Sequence, residues 1–313
     1  MIIKARNLYE KEIIISDVSK FEFVRSADAP CDSFYAEFQS DFDLGEIDEI
    51  CVFDGGTKVF CGTADCQTMQ KNASGLFFTL YARSAAAVLV DNEAAPCIYN
   101  MPCSQGLFNA HAREFGFVNK TENIYSNESY EIQKGTSCWG AINNFVYSKT
   151  LRNIYVNQNK EIVVLRPGEN VENLDSYNVL SAKKVINRGS VISEVHYKIN
   201  GSDKYCYCLK STFAEERNIC RKRFVNLSGI PAYRRENSLH KKIGQGLEDY
   251  YCGEVVLNGA VNFDLLARVK CVALDSGEYL IRQIVISGSE SGIKTKLSLS
   301  REFDAKEINY VDE

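Results

Sequence analysis

The first part of the chain alternates between apolar and polar residues, a pattern typical of strands that bury one face. Five apolar residues occupy every second position in two short stretches: Phe21 and Phe23, then Phe34, Ala36 and Phe38. Side chains two residues apart share one face of an extended chain, so these stretches predict two strands on a common core.

A glycine turn separates the next two apolar runs. Residues 50–53 and 58–61 flank Asp54-Gly55-Gly56, and glycine tolerates the positive φ angles that a tight hairpin needs. A further alternating strand is predicted over residues 75–82. Together these patterns indicate that the chain begins with a small antiparallel barrel or sandwich.

Helical patterns replace the alternation after Arg83. The Ala-rich residues 84–90 predict a short helix, which the polar Asp91-Asn92-Glu93 ends. A second helix is predicted to begin with Ser104 as its cap and to end at Gly116, since glycine suits the left-handed position after a helix.

A third helix and a hairpin complete this α/β part. The helix is predicted to begin at residues 136–137 and includes Trp139 in its first turn. Residues 154–156 and 161–165, joined by a polar turn, predict the hairpin, and Pro167-Gly168 marks a boundary.

Alternation returns in the last part of the chain. The predicted strands cover residues 191–199, 205–209, 268–274, 279–286 and 293–299. A basic segment, residues 211–250, interrupts them. The fold class predicted is therefore mainly β, with two barrel-like antiparallel β-domains flanking a small α/β domain.

Three domains follow from these boundaries. Residues 1–93 form the first β-domain, 94–168 the α/β domain, and 169–313 the second β-domain with the basic segment as an insertion. A chain of 313 residues is long enough for several such units.

Composition and cysteine usage indicate the compartment. No apolar run reaches the roughly 18 residues that a membrane span needs, so we expect a soluble cytoplasmic product without a membrane span. The 12 cysteines are expected to remain reduced thiols there, most of them acting as small buried apolar residues.

Charge is distributed unevenly along the chain. An acidic run near the N-terminus contains Asp41, Asp43, Glu46, Asp48 and Glu49, and the basic segment contains Arg221, Lys222, Arg223, Arg234 and Arg235. We assign both groups as candidate subunit or partner interfaces, because opposite charges orient assembly. A solvated loop and phosphate binding are the alternatives for the basic group. The net charge of −5 argues against general nucleic-acid binding, and we expect no specific nucleic-acid partner.

Residues that could bind a metal or act in catalysis do not occur in recognisable motifs. His111, His196 and His240 are far apart in the sequence, and Cys206 and Cys208 lack a standard zinc spacing. Buried free cysteines are the favoured interpretation, and we expect no metal, no cofactor and no catalytic residue. Asp91 and Glu93 could form the acid and base of a peptidoglycan hydrolase, although a polar turn explains them more simply.

Three segments carry a family resemblance. Residues 81–117, which include Arg83, Asp91, Asn92 and Glu93, are followed by Thr136-Ser137-Cys138-Trp139 with its helix and hairpin, and by residues 277–301. The chain resembles the tail hub proteins of Mu-like and PBSX-like contractile tails, within the late control protein D superfamily.

This resemblance implies a structural role. It implies a homotrimer whose two barrels per chain form a pseudo-sixfold ring that joins the hexameric tail tube to the baseplate and the trimeric spike. The tape measure protein is a further candidate partner. The protein would assemble in the bacterial cytoplasm and then reside at the baseplate centre of a phage, a bacteriocin or another contractile injection system.

Overall fold

The computed structural model describes residues 2–15, 18–199, 201, 203–230, 232–302 and 308–312. Side chains are described for all of these except residues 232–234, 236–237, 240–241 and 308–312. Strands account for 49% of the chain and helices for 16%, which confirms the mainly β fold class.

The chain forms two compact units. The first comprises Met1–Pro167, Val256–Leu266 and Arg282–Lys296, and the second comprises Gly168–Val255, Ala267–Ile281 and Leu297–Glu313. The division into domains 1–93, 94–168 and 169–313 stays a prediction.

Strands up to Pro167 belong to the first unit. They are β1 (Ile2–Asn7), β2 (Glu12–Ile15), β3 (Val18–Ser26), β4 (Ser33–Ser40), β5 (Ile47–Asp54), β6 (Thr57–Asn72), β7 (Gly75–Ser84), β8 (Cys97–Tyr99), β9 (Val118–Asn119), β10 (Tyr130–Ile132), β11 (Ile154–Val156) and β12 (Glu161–Val164).

The remaining strands follow Pro167. They are β13 (Val171–Asn173), β14 (Val179–Ile186), β15 (Glu194–Lys198), β16 (Tyr207–Ser211), β17 (Lys222–Asn226), β18 (Tyr251–Asn258), β19 (Arg268–Cys271), β20 (Asp275–Ser289), β21 (Gly292–Ser300) and β22 (Ile308–Asp312). Strands β18, β20 and β21 each contribute residues to both units.

An antiparallel sheet dominates the first unit. Its strand order is β20–β3–β4–β7–β6–β5–β1–β2. The predicted period-two positions are buried, among them Phe34 and Ala36 with no exposed surface. Gly55 and Gly56 turn the β5–β6 hairpin with φ angles of 54° and 86°, so the predicted hairpin is confirmed.

Helices of the first unit are α1 (Ala87–Asp91), α2 (Ser104–His111) and α3 (Cys138–Thr150). Ser137 caps α3, because its side chain accepts a hydrogen bond from the Gly140 amide. The predicted cap of α2 is wrong: Cys103 is the capping position, and the Ser104 hydroxyl accepts from the Ile124 amide instead.

The cysteines differ from the expectation of buried, reduced thiols. Cys51 and Cys61 lie directly opposite each other on β5 and β6 and form a disulfide. Among the free cysteines, Cys138, Cys208 and Cys271 are buried, whereas four are exposed: Cys66, Cys97, Cys206 and Cys220. The expectation was therefore wrong for the disulfide pair and for the burial of most thiols.

Two helices, α4 (Thr212–Glu216) and α5 (Ala232–Glu248), lie in the basic segment of the second unit. Strands of this unit form a sheet with the order β17–β15–β16–β22. An apolar cluster includes Val195 and Leu209 from the sheet and Leu239, Ile243 and Leu247 from α5. The solvated loop considered for this segment is therefore wrong where α4 and α5 form, and α5 belongs to a folded core.

A buried polar cluster lies in the first unit. The Tyr155 hydroxyl donates a 2.7 Å hydrogen bond to Asp32 Oδ2, and Arg25 Nε lies 4.0 Å from the same oxygen. Arg25 Nη1 donates to Asn262 Oδ1 and to the Phe263 carbonyl at 3.0 and 3.1 Å. The cluster joins three segments that are far apart in sequence.

Burial controls the ionisation of this cluster. Loss of water raises the pKa of Asp32 to about 6, although the Arg25 charge and the Tyr155 hydrogen bond act in the opposite direction. Because the folded state raises this pKa above its ordinary value of 3.8, the folded state favours the protonated carboxyl. Protonation of Asp32 therefore contributes fully to stability at pH values below 3.8, and this contribution is lost as the pH rises through the folded-state pKa of about 6.

We therefore expect wild-type protein to lose stability relative to Asp32→Asn as the pH rises from about 4 to about 7. Asparagine keeps the shape of the side chain but does not ionise, and all other titrating groups are common to both proteins. Urea midpoints of the two proteins across this range measure the difference. A difference that is constant with pH would contradict the assignment.

Candidate functional site

The acidic run of the first unit begins in the connection between β4 and β5 and continues onto β5. Asp41, Asp43 and Glu46 are exposed in the connection from β4 to β5, whereas Asp48 and Glu49 are half-buried on β5. Three of these carboxylates have partners within the same unit. Arg6 Nη2 lies 3.2 Å from Asp48 Oδ2 and 3.0 Å from Glu49 Oε2, and Asp43 Oδ1 accepts a hydrogen bond from the Gly45 amide.

Basic residues of the second unit also bind their own chain. Arg221 Nη1 donates to the backbone carbonyls of Arg188, Gly189 and Val191, so its charge helps to fix a loop. Lys222 Nζ lies 2.9 Å from Glu194 Oε2.

The other three basic candidates are placed differently. Arg223 Nη1 donates to the Lys222 carbonyl and Arg235 Nε to the Ile230 carbonyl. The side chain of Arg234 falls outside the described residues. The assignment of the acidic and basic residues as interfaces stays a prediction, and the structure shows that several of these charges stabilise the fold.

Two of the resemblance segments meet in one structural joint. The Glu93 carboxylate accepts a 2.6 Å hydrogen bond from the Gly135 amide, the Asn92 carbonyl accepts from the Cys138 amide, and the Ala94 amide donates to the Thr136 carbonyl. The Asn92 side chain donates to the Val88 carbonyl and so caps α1. The joint fixes the end of α1 against the beginning of α3, where Trp139 is half-buried.

Arg83 completes this joint by binding two carboxylates at once. Its Nε and Nη2 lie 2.5 and 3.1 Å from the Asp65 carboxylate oxygens, and its Nη1 and Nη2 lie 3.0 and 2.7 Å from those of Asp91. The hydrogen bonds that Arg83 donates lower the pKa of Asp91, and donation to the Asp65 and Asp91 carboxylates raises the pKa of Arg83.

We expect Arg83→Ala to lower the free energy of unfolding by about 1 kcal/mol, since the pairs are partly exposed but bidentate. Arg83→Lys should lose most of the same stability, because an ammonium cannot reproduce the planar fork. Urea unfolding followed by Trp139 fluorescence measures both. Lys4→Ala, which breaks an exposed single contact to Glu12, serves as the control and should have a smaller effect.

The candidate acid and base of a hydrolase, Asp91 and Glu93, are both hydrogen-bonded to other groups of the joint. Asp91 is bound by Arg83 with a lowered pKa, which is unsuited to a general acid. Glu93 is held by the Gly135 amide at the α1–α3 joint. Both carboxylates are therefore used for structure.

The two histidines with described side chains have different partners. His111 is buried on α2, and its Nε2 lies 3.1 Å from the Tyr99 hydroxyl. His196 contacts Glu194 and Cys208 on the second unit's sheet. The side chain of His240 lies outside the described residues.

In the part of the chain that the structure describes, no helix is both long and apolar enough to cross a membrane.

Sequence comparison and structure comparison with known proteins give different results for this chain. No family model matches the chain, and no curated protein matches it by sequence. Solved structures do match: the chain has the fold of two tail proteins and of a type VI secretion component.

Three of these structures define the fold. The 43 kDa tail protein of prophage MuSo2 from Shewanella oneidensis has a TM-score of 0.78 at 15% identity, with 96% of this chain and 97% of that chain covered. The tail protein from Neisseria meningitidis MC58 has a TM-score of 0.75 at 17% identity, with 96% of each chain covered. An E. coli type VI secretion component that is similar to the T4 tail proteins gp27 and gp5 has a TM-score of 0.61 at 10% identity, with 97% and 77% covered.

Proposed function

We propose that this chain is a structural hub subunit of a phage-like contractile tail and has no enzymatic activity. The observation that carries the proposal is the match to tail proteins over nearly the whole length of both chains. The joint of α1 and α3 supports it, since the residues of the hub-like segments hold two elements together instead of lining a reaction site.

The proposed assembly is a homotrimer. Two β-rich units per chain would give three chains six similar positions, which match a hexameric tail tube on one side while the true threefold symmetry matches a trimeric spike on the other. Baseplate proteins and the tape measure protein are further proposed partners. Assembly would take place in the bacterial cytoplasm before the subunit enters the particle of a phage, a bacteriocin or a related injection system.

A strand edge in the first unit supports self-assembly. Among the described residues, β2 pairs only with β1, so one side of its backbone is open to a further strand. Apolar side chains on and beside this edge are exposed: Ile2 by 47%, Tyr9 by 86% and Ile14 by 63%. An open edge with apolar side chains is suited to an intersubunit contact.

Mass measurement in solution tests the assembly. Light scattering or mass photometry of purified protein should give three times the 35.2 kDa of the chain, and electron microscopy should show rings. Ile14→Glu should weaken the trimer at least about tenfold in dissociation constant, as loss of a central apolar contact does. Val272→Glu, at an exposed apolar residue of the second unit, is the matched control. A monomer at every concentration would contradict the proposal.

A further inference from the structure

Three side chains that can bind metal converge on one face of the second unit's sheet. Glu194 and His196 are two residues apart on β15 and therefore share a face. Cys208 lies directly opposite His196 on the antiparallel strand β16. The residues next to them, Val195 and Leu209, are fully buried in the apolar cluster that includes α5, so a packed core supports both strands.

Distances among the donor atoms suit a single ion. His196 Nε2 lies 2.9 Å from Glu194 Oε2 and 3.8 Å from Cys208 Sγ, and all three donor atoms lie within 4.8 Å of one another. Tetrahedral zinc would separate a sulfur ligand from a nitrogen ligand by about 3.5 Å. The thiol and the imidazole are thus close to the required separation, and the carboxylate needs to withdraw from the imidazole by only about half an ångström.

From this geometry we infer that Glu194, His196 and Cys208 bind one Zn²⁺ ion. Thiolate, imidazole and carboxylate are the ligands that zinc takes in proteins, whereas magnesium and calcium select oxygen ligands alone. Three protein ligands leave a fourth position for water or for a donor from another molecule. The inference is independent of the proposed tail function.

Neighbouring side chains on β17 prepare and regulate the site. The Phe224 ring stacks on the His196 imidazole with centroids 5.2 Å apart, which restricts the ring's orientation. Lys222 Nζ lies 2.9 Å from Glu194 Oε2, so it would compete with a zinc ion for this carboxylate. Because the Lys222 side chain is 50% exposed, it can swing into solvent when the ion binds.

A buried thiol completes the proposed set of ligands. Cys208 is buried and is not in a disulfide. Its thiol would release a proton when the ion binds, as cysteine ligands do.

Zinc titration of the full-length chain tests the inference. Calorimetry, or competition with a chromophoric chelator, should show about one Zn²⁺ per chain, and Co²⁺ should give the absorption of a thiolate-bound ion. Cys208→Ser and His196→Ala should each weaken binding at least about tenfold, since even indirect partners of a metal cost that much. Cys208→Ser should also abolish the Co²⁺–thiolate absorption.

Matched variants separate this site from other thiols and from unfolding. Cys206→Ser changes an exposed cysteine on the approach to the same strand and should bind zinc as wild type does. Lys222→Met should bind severalfold more tightly, because it removes the competing cation, and misfolding does not produce a tighter site. Binding that is unchanged in Cys208→Ser and His196→Ala, that depends on Cys206, or that is unchanged in Lys222→Met would overturn the inference.

Discussion

Asp32→Ala is expected to lower the free energy of unfolding by about 3 kcal/mol or more near neutral pH. The change removes the nearest counter-charge of Arg25, which is only 8% exposed, and leaves the Tyr155 hydroxyl without its acceptor. Removal of one partner of a buried ion pair typically costs about 3–5 kcal/mol, because an uncompensated charge stays buried. Urea unfolding followed by Trp139 fluorescence measures the loss, at one fixed protein concentration because assembly adds to stability.

Asp28→Ala is the matched control for this prediction. Asp28 is also an aspartate paired with an arginine, Arg282, but its side chain is 58% exposed. Exposed pairs contribute about 0–1 kcal/mol, so Asp28→Ala should change the free energy of unfolding very little. If Asp28→Ala and Asp32→Ala destabilised the protein equally, the buried cluster would not have the stabilising role assigned to it.

Ile243→Ala is expected to cost about 2–5 kcal/mol, the usual range for a fully buried isoleucine that leaves a cavity. Ile243 has no exposed surface and packs in the apolar cluster with Val195 and Leu209. Far-UV circular dichroism during urea unfolding measures the loss, and hydrogen exchange of α5 amides locates it.

Lys242→Ala provides the control within the same helix. Lys242 is exposed, and surface substitutions usually change stability by less than about 0.5 kcal/mol. Should Ile243→Ala prove as mild as Lys242→Ala, α5 would be a peripheral attachment and not part of the core of its unit.

Much of the first unit could be predicted from the sequence because local physics determines it. The β5–β6 hairpin follows from Gly55 and Gly56, the beginning of α3 from Ser137, and the buried faces from period-two phenylalanines. In each case the signal and the structure involve neighbouring residues, so no knowledge of distant contacts was needed.

Other elements depend on distant contacts and were missed. Lysine and arginine residues lie between the apolar residues of α5. The sequence therefore predicts a basic segment there and does not reveal the helix face that contains Leu239 and Ile243. Strand β14 lacks a buried face, since its described residues are exposed or half-buried, and alternation could not reveal it.

The candidate metal ligands were missed for a related reason. Cys208 was paired in sequence with Cys206, whereas strand register pairs it with His196. The joint at Glu93 and Gly135 likewise joins residues 42 positions apart. Register and long-range hydrogen bonds place these groups, and neither leaves a spacing pattern in a single sequence.

The interleaving of the two units constrains how the protein can be made. The first unit needs Val256–Leu266 and Arg282–Lys296, which supply the neighbour of β3 and the acceptors of Arg25. A ribosome must therefore synthesise most of the chain before the N-terminal sheet can be completed. Until then β3 presents an open edge to other nascent chains, so truncated products should aggregate instead of folding as independent halves.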